Sequence, residues 1–268
     1  MHIIRLNAKS VFTSTKIPGA RWVINQYVGC EHNCLYCYAK FMSKWYQFGR
    51  WGSWVVVKEN LPELVKGRHV DGKVYMSSVS DPYQPIERKL KLTRRLLKNM
   101  DKSIELSILT KSPLVLRDVD LFKRFEDLEV GLTVNSFSRS IEKVLEPLSP
   151  SSRERIDALR VLHENGVRNY AFISPIIPGL TDLRLIIEET KDFTDFYWLE
   201  LMNLKASGKE FRDWLRRNHP ESYLTLSEKD RIEDYVKDTT TLLREENIPV
   251  KGICVHHLRS RSFNIYRI

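Results

Sequence analysis

The sequence predicts an α/β fold in which a parallel sheet forms a full or partial barrel. Apolar, β-branched runs alternate along the chain with segments of helical periodicity. About seven such runs occur, with a helical segment between consecutive ones from the second onward, which is the pattern of βα units. No linker of low complexity divides the 268 residues. Ligands of such sheets bind beyond the carboxyl ends of the strands, so the loops that follow strands are the candidate site.

The elements follow in a regular order. The predicted strands lie at 21–28, 73–80, 103–110, 128–135, 167–179, 196–204 and 250–255. The predicted helices lie at 87–100, 112–125, 149–166, 181–193, 208–218 and 227–246. Ser112 is the expected N-cap of the second helix, with Pro113 at its first position, and Gly166 ends the third. Asp81 and Pro82 stop the second strand.

Composition indicates a basic protein of ordinary hydrophobicity. Lysine and arginine number 43 against 34 acidic residues, giving a net charge of +9, so an anionic partner is expected, nucleic acid first. A second interpretation stays open, because the scarcity of glutamine beside abundant Lys, Arg and Glu is also typical of heat-adapted proteins.

The chain is expected to be cytoplasmic. No run approaches the roughly 20 apolar residues that span a membrane, so no membrane partner is expected, and the N-terminal stretch lacks the apolar region of a secretory signal. Four cysteines in 268 residues do not make a disulfide scaffold. A reducing compartment and a metal or redox role fit them better.

Cys30, Cys34 and Cys37 have the spacing C-x3-C-x2-C in the loop after the first predicted strand. A zinc ion would need a fourth ligand. The candidates for it are His32, Cys254, His256 and His257. A [4Fe–4S] cluster normally takes four thiolates, and three would leave one iron open for another ligand. Three buried structural cysteines are the remaining interpretation.

The motif, with aromatic Tyr36 before its last cysteine, resembles the cluster motif of the radical S-adenosylmethionine (SAM) enzymes. Further blocks are similar to the spore photoproduct lyase-like branch, also described as DNA repair photolyases. These blocks are YVGCEHNCLYCYAK, VSDPYQPIE, LTKSPLVLRDVDL, EPLSPSSRERIDAL and SPIIPGLTD. The resemblance implies a partial (β/α)6 TIM-type barrel with short N- and C-terminal extensions. Residues 1–268 would form a single radical SAM domain, with a core at about 20–205 and a C-terminal extension at about 206–268.

The resemblance also implies two cofactors. Cys30, Cys34 and Cys37 would bind a [4Fe–4S] cluster, and the amino and carboxylate groups of SAM would chelate the open iron. An external one-electron donor would reduce the cluster, and cleavage of SAM would give a 5′-deoxyadenosyl radical that abstracts hydrogen from a substrate. The protein would supply ligation, orientation and exclusion of water.

Six side chains near the strand ends match positions that would hold SAM. They are Tyr36, Ser80, Asp81, Lys111, Asn135 and Ser136. Asp81, after Ser80, would accept from the amino group, Lys111 would pair with the carboxylate, and Asn135 would hold the ribose hydroxyls. Tyr36 would lie beside the adenine. Each also has an ordinary interpretation as a turn residue, a solvated lysine or a capping amide.

One departure from the photoproduct lyases concerns the hydrogen donor. Those enzymes have a cysteine just before the Ser-Asp pair, where this chain has Val79, and valine offers no comparably weak S–H bond. Cys254, in the last predicted strand, is the remaining thiol and a candidate hydrogen donor, although a small buried hydrophobe is the alternative. His32 is expected beside the ligands or at the surface, and His256 with His257 near the open end of the barrel.

Segment 40–68 interleaves aromatic and basic residues. Such a segment can stack and neutralise single-stranded nucleic acid, or it can be a lid over the cluster. Three functions therefore stay open. The first is a lyase-like radical enzyme that repairs a DNA lesion or modifies RNA, and the second a radical enzyme acting on a peptide or small molecule. The third is a zinc-stabilised nucleic-acid binding module without enzymatic activity.

Overall fold

The computed structural model describes residues 1–256 and 263–267, which form twelve strands and ten α-helices. The strands are β1 (His2–Leu6), β2 (Thr13–Ser14), β3 (Trp22–Ile24), β4 (Tyr27–Val28), β5 (Trp54–Lys58), β6 (Val74–Met76), β7 (Leu106–Thr110), β8 (Leu128–Val134), β9 (Asn169–Ile176), β10 (Phe196–Leu201), β11 (Val250–His256) and β12 (Phe263–Tyr266). The α-helices are α1 (Leu61–Leu64), α2 (Glu87–Leu90), α3 (Leu92–Asn99), α4 (Val119–Phe122), α5 (Arg139–Leu145), α6 (Ser152–Glu164), α7 (Leu183–Thr190), α8 (Lys209–Asn218), α9 (Pro220–Ser227) and α10 (Lys229–Glu245). Two 3-10 segments lie at Tyr38–Lys44 and Pro113–Asp118.

Nine of these strands form one sheet in the order β2-β3-β6-β7-β8-β9-β10-β11-β12. The seven strands from β3 to β11 in this order are parallel, and β2 and β12 flank them in antiparallel pairings. Helices connect the parallel strands from β6 onward. The expected α/β fold with a partial barrel of βα units is confirmed.

The two faces of the sheet differ in polarity. Tyr197 and Leu199 of β10 are fully buried on the face toward the helices, where the Tyr197 hydroxyl lies 2.8 Å from Thr190 Oγ1 of α7. The intervening Trp198 and Glu200 are half-buried and point to the barrel interior. Ser174 of β9 and His256 of β11 contact Glu200 on this inner face, so polar side chains of three neighbouring strands meet near the carboxyl ends.

The first predicted strand, 21–28, is divided in the structure. β3 joins the large sheet, whereas β4 pairs with β5 in a separate three-stranded sheet of order β1-β5-β4. β5 lies inside the aromatic-basic segment, and its Trp54 is fully buried. The N-terminal extension and that segment thus combine into a small sheet beside the barrel.

The predicted helices are found with shifted ends. The segment 87–100 is broken at Lys91, which adopts a left-handed conformation with φ of 51° and separates α2 from α3. Ser112 caps its segment as expected, through a hydrogen bond from the Leu114 amide, and α6 begins with a capping box between Ser151 and Glu154. Of the helices in residues 1–256, none is long and apolar enough to cross a membrane.

Candidate active site

The cysteine loop, residues 29–37, follows β4 and is held in a tight conformation. Gly29 has φ of +87°, and a Cβ there would come within 2.6 Å of the Trp54 carbonyl oxygen. Asn33, between the first two cysteines, also adopts positive φ. The Leu35 amide donates to the Leu145 carbonyl at 2.8 Å, which ties the loop to the end of α5. These contacts fix the thiols relative to the barrel.

All three cysteines of this loop carry free thiols, and Cys30 and Cys34 are buried. Burial raises the pKa of Cys30, and the charges of Asp81 and the other thiols add to it. Burial also raises the pKa of Cys34 to about 12, with a contribution from Glu146, and raises the pKa of Cys37. The raised pKa values favour the protonated thiols. A bound metal centre would favour the thiolates instead, because cations stabilise them.

His32 lies inside the loop and is 2% exposed, so the expected surface position is wrong and the position beside the cysteines is confirmed. Its Nδ1 lies 3.6 Å from Asp81 Oδ2, too far for a hydrogen bond, and that nitrogen is a buried polar atom without a partner. Burial lowers the pKa of His32. His32 therefore leaves a buried ring nitrogen without a hydrogen-bond partner beside Asp81.

The Asp81 carboxylate is engaged by the chain itself. Oδ1 accepts hydrogen bonds from Thr110 Oγ1 at 2.6 Å and from the Tyr83 amide at 2.8 Å, and Oδ2 accepts from the Lys111 amide at 2.8 Å. Asp81 thus joins the ends of β6 and β7. Ser80 Oγ donates to the Tyr27 carbonyl at 3.1 Å, which ties the same loop to β4.

Lys111, Tyr36 and Asn135 meet at a glutamate that the sequence analysis did not single out. Lys111 Nζ lies 3.1 Å from Glu146 Oε1, and Asn135 Nδ2 donates to the same oxygen at 3.2 Å. The Tyr36 hydroxyl donates to it as well. The Lys111 ammonium also lies 5.7 Å from the centre of the Tyr36 ring, within the range of a cation–π contact.

Glu146 is buried and ionised, because Arg155 places a second positive charge beside its carboxylate. The Arg155 guanidinium, 1% exposed, contacts Glu146 Oε2 and donates to the Thr133 carbonyl at 3.2 Å. Burial alone would raise the pKa of Glu146, but Arg155 and Lys111 outweigh it and hold that pKa well below its usual range. Glu146 and Arg155 both lie in the block EPLSPSSRERIDAL that carried the family resemblance. That block was the sequence signal from which these two residues could have been identified.

The remaining predicted residues lie elsewhere. Ser136 Oγ accepts from the Asp182 amide, at the start of α7. Val79 packs against the cluster of buried residues around Cys30 and Trp51. Cys254 lies in β11 within the barrel interior, and its predicted role as hydrogen donor stays a prediction. His256 is the last residue of β11, while His257 lies outside the described residues.

Segment 40–68 divides into a buried and an exposed part. Met42, Trp51 and Trp54 are buried against Cys30, as expected for a lid. In contrast, Trp45 is 75% exposed and contacts Phe41 edge to face, with ring centres 5.9 Å apart. The segment therefore covers one side of the cysteine loop and presents aromatic rings to solvent.

This fold and cysteine loop define a class of protein. The sequence profile of the Radical SAM superfamily matches residues 24–190, more than half of the chain. The protein belongs to this superfamily, as expected, and is a radical SAM enzyme.

Several proteins resemble most of the chain. Uncharacterized protein MJ0683 of Methanocaldococcus jannaschii is 59% identical over 256 residues, which are 96% of this chain and 98% of that protein. Spore photoproduct lyase complexed with dinucleoside spore photoproduct has a TM-score of 0.57 and 18% identity, covering 81% of this chain and 66% of that one. SuiB of Streptococcus suis bound to S-adenosylmethionine has a TM-score of 0.50 and 16% identity, covering 88% of this chain and 50% of that one. At such identities the two solved structures show a shared fold.

Proposed function

We propose that the cysteine loop holds a [4Fe–4S] cluster through Cys30, Cys34 and Cys37, and that SAM binds beside it. When bound, these groups supply a 5′-deoxyadenosyl radical, generated with one electron from an external donor. The observation that carries the proposal is the set of three free thiols in one loop, at the edge of the sheet where radical SAM family members place their chemistry. The donor set fits the cluster, since thiolates are its usual ligands.

The surroundings of the loop support a cluster more than a single zinc ion. Zinc–sulfur bonds of about 2.3 Å in a tetrahedron place the sulfurs about 3.8 Å apart. In the described part of the chain, these three cysteines do not form a set of ligand atoms within 4.8 Å of one another. The wider spacing suits a larger group, and the partnerless His32 Nδ1 offers a polar contact to it.

The side chains around Glu146 are assigned to SAM as follows. Lys111 presents an ammonium to the methionyl carboxylate, and Glu146 holds that ammonium in place. Asn135 contributes an amide to the ribose hydroxyls, while Ser136 supports the same loop. Tyr36 offers its ring to the adenine. Because its hydroxyl is bound to buried Glu146, the ring is fixed before any cofactor arrives.

Asp81 and Ser80 fill a different part of the proposed site. The Asp81 carboxylate already accepts three hydrogen bonds from the chain. An ionised carboxylate has about four acceptor positions, so one remains for the amino group of SAM. Asp81 accordingly both orients the Lys111 backbone and contacts the cofactor, with Ser80 holding their loop against β4.

We further propose nucleic acid as the substrate, in a DNA lesion repair or RNA modification reaction. The net charge of +9 favours an anionic partner. Exposed Trp45 and Phe41 share segment 40–68 with exposed, basic Lys44 and Arg50, a combination of residue types on which unstacked bases bind. Both aromatic residues are in the segment that covers the cysteine loop, so a bound strand would reach the radical chemistry.

Anaerobic reconstitution with iron and sulfide tests the first proposal. Wild-type protein should take up about four irons and four sulfides, as this cluster type requires, and should form 5′-deoxyadenosine from SAM and dithionite. The Cys34→Ala variant should lose both properties. Cys254→Ala is the matched control and should retain the iron content. Protein that remains colourless and binds zinc instead, or Cys34→Ala protein with unchanged 5′-deoxyadenosine formation, would contradict the assignment.

A further inference from the structure

We propose that Glu200, Cys254 and His256 form a second metal site, which takes one divalent ion of the zinc type inside the barrel. Among the described residues, these are the three whose ligand atoms lie within 4.8 Å of one another. They supply oxygen, sulfur and nitrogen, a donor set suited to a borderline ion such as Zn²⁺. The site is distinct from the cysteine loop in sequence and in the strands that carry it.

The sheet brings these residues together. Glu200 of β10 is directly paired with Cys254 of β11, so their side chains point to the same face of the sheet. His256 follows Cys254 by two residues and shares its face. Ile253 and Val255 alternate with them and are buried among the core residues of the helical side. Strand register, rather than loop geometry, therefore fixes the three ligands near the carboxyl ends.

The distances are close to those of a coordinated ion. His256 Nε2 lies 2.8 Å from Glu200 Oε1, and Cys254 Sγ lies 3.9 Å from His256 Nε2. Ligands of a tetrahedral zinc ion are about 3.3 to 3.6 Å apart, so small side-chain rotations would admit the ion. Ser174 Oγ donates to the second Glu200 oxygen at 2.8 Å. Such an outer hydrogen bond typically orients a metal-binding carboxylate.

The site is accessible but sheltered. The side chains of His256 and Glu200 are 21% and 31% exposed. Three protein ligands leave a fourth position open, as in catalytic zinc centres. From the barrel interior this position could receive an oxygen of a phosphate or carbonyl group of the substrate.

Metal binding gives Cys254 a role other than hydrogen donation. Without a metal, a cysteine thiol keeps its proton at neutral pH, because its ordinary pKa is about 8.5. Coordination removes that proton, since a metal-bound thiol is deprotonated. A coordinated Cys254 has no S–H bond to give. As a metal ligand it requires a bound ion, whereas as a hydrogen donor it must be free of metal.

Cobalt titration of the full chain tests the site independently of the cluster. Replacing Cys30, Cys34 and Cys37 by serine leaves Cys254 as the one thiol in the sequence. We expect one equivalent of Co²⁺ to bind, with a sulfur-to-cobalt charge-transfer band that Cys254→Ser removes. His256→Ala should weaken binding at least tenfold, and Ser174→Ala about tenfold. His163→Ala, on the exposed side of α6, is the control and should leave the titration unchanged.

A second measurement keeps the natural cysteines. Cluster-loaded protein, exposed to Zn²⁺ and dialysed, should retain one zinc in addition to its iron, and His256→Ala protein should lose the zinc with its iron content unchanged. Absence of retained zinc would overturn the proposal. So would a sulfur-to-cobalt band whose titration is the same in Glu200→Gln and His256→Ala proteins as in their parent.

Discussion

Lys111 Nζ lies 3.1 Å from Glu146 Oε1, inside a network in which the glutamate side chain is fully buried. The same carboxylate binds Tyr36, Asn135 and Arg155. One glutamate thus organises three of the six side chains assigned to SAM. Glu146 directly follows α5, and Arg155 of α6 reaches it from the next helix, so the end of α5 and the start of α6 both contribute to the site.

Replacing Glu146 by glutamine should destabilise the protein by about 3 to 5 kcal/mol, because the buried Arg155 guanidinium would lose its counter-ion. Urea unfolding of the cluster-free protein measures this. Glu188→Gln, an exposed change on α7, is the control and should stay within about 0.5 kcal/mol of wild type. Equal stability of Glu146→Gln and Glu188→Gln would show that the network contributes nothing to the fold.

Acid should weaken the same network. The pKa of Glu146 is depressed in the folded protein from its ordinary value of 4.5, so its stabilising contribution is present above that value and is lost as the pH falls below it. The difference in free energy of unfolding between wild type and Glu146→Gln should therefore shrink between about pH 5 and about pH 3. Urea unfolding across this range measures the difference, and a gap that widens on acidification would contradict the assigned direction.

Gly29→Ala should impair folding around the cysteine loop. Alanine at positive φ costs about 1 to 2 kcal/mol, and here its Cβ would also overlap the Trp54 carbonyl, adding about 1 to 3 kcal/mol. Gly67→Ala is the matched control, because Gly67 has φ of +65° but no atom within 4 Å of the added Cβ. Thermal unfolding and iron content after reconstitution compare the two. A similar loss in both variants would show that steric contact with Trp54 is unimportant.

Alanine substitutions of Trp45 and Trp51 should have different effects, the first on oligonucleotide binding and the second on the stability of the fold. Trp45→Ala should leave stability within about 0.5 kcal/mol while weakening binding to a single-stranded oligonucleotide by about 1 to 3 kcal/mol. Trp51→Ala should destabilise the protein by about 3 to 5 kcal/mol, since Trp51 is buried. Fluorescence anisotropy at several salt concentrations measures the binding, which should fall steeply with salt.

Leu185→Ala, an exposed apolar change on α7, is the control for the binding experiment and should bind like wild type. Affinity that is insensitive to salt and unchanged in Trp45→Ala would argue against a nucleic-acid substrate. A peptide or small molecule would then be the better candidate.

The sequence predicted the parallel strands of the barrel well, because apolar, β-branched runs separated by helical segments have a strong local signature. It did not predict β5, since the run at 54–58 was included in an aromatic-basic segment, and its pairing with β1 and β4 is set by tertiary contacts. The break at Lys91 was also missed. A lysine with positive φ has no local signal, as left-handed conformation is uncommon outside glycine.

For the site, sequence reasoning found the residues that follow strands but missed the group that joins them. Glu146 precedes a helix and looks like an ordinary surface glutamate until Lys111 and Arg155 come to it from other elements. The proximity of Glu200, Cys254 and His256 depends on the register between β10 and β11, which no local pattern specifies. Side chains that act through partners distant in sequence are therefore the ones that only the structure could identify.

Three cysteines that bind a [4Fe–4S] cluster would leave one iron for SAM. Electron paramagnetic resonance of the reconstituted, dithionite-reduced protein tests it directly, with and without SAM. We expect a [4Fe–4S]⁺ signal whose g-values shift when SAM is added, a signal that is absent in Cys37→Ala protein and retained in Cys254→Ala protein. A signal that SAM leaves unchanged, or one that persists without Cys37, would contradict a three-cysteine cluster with an open iron.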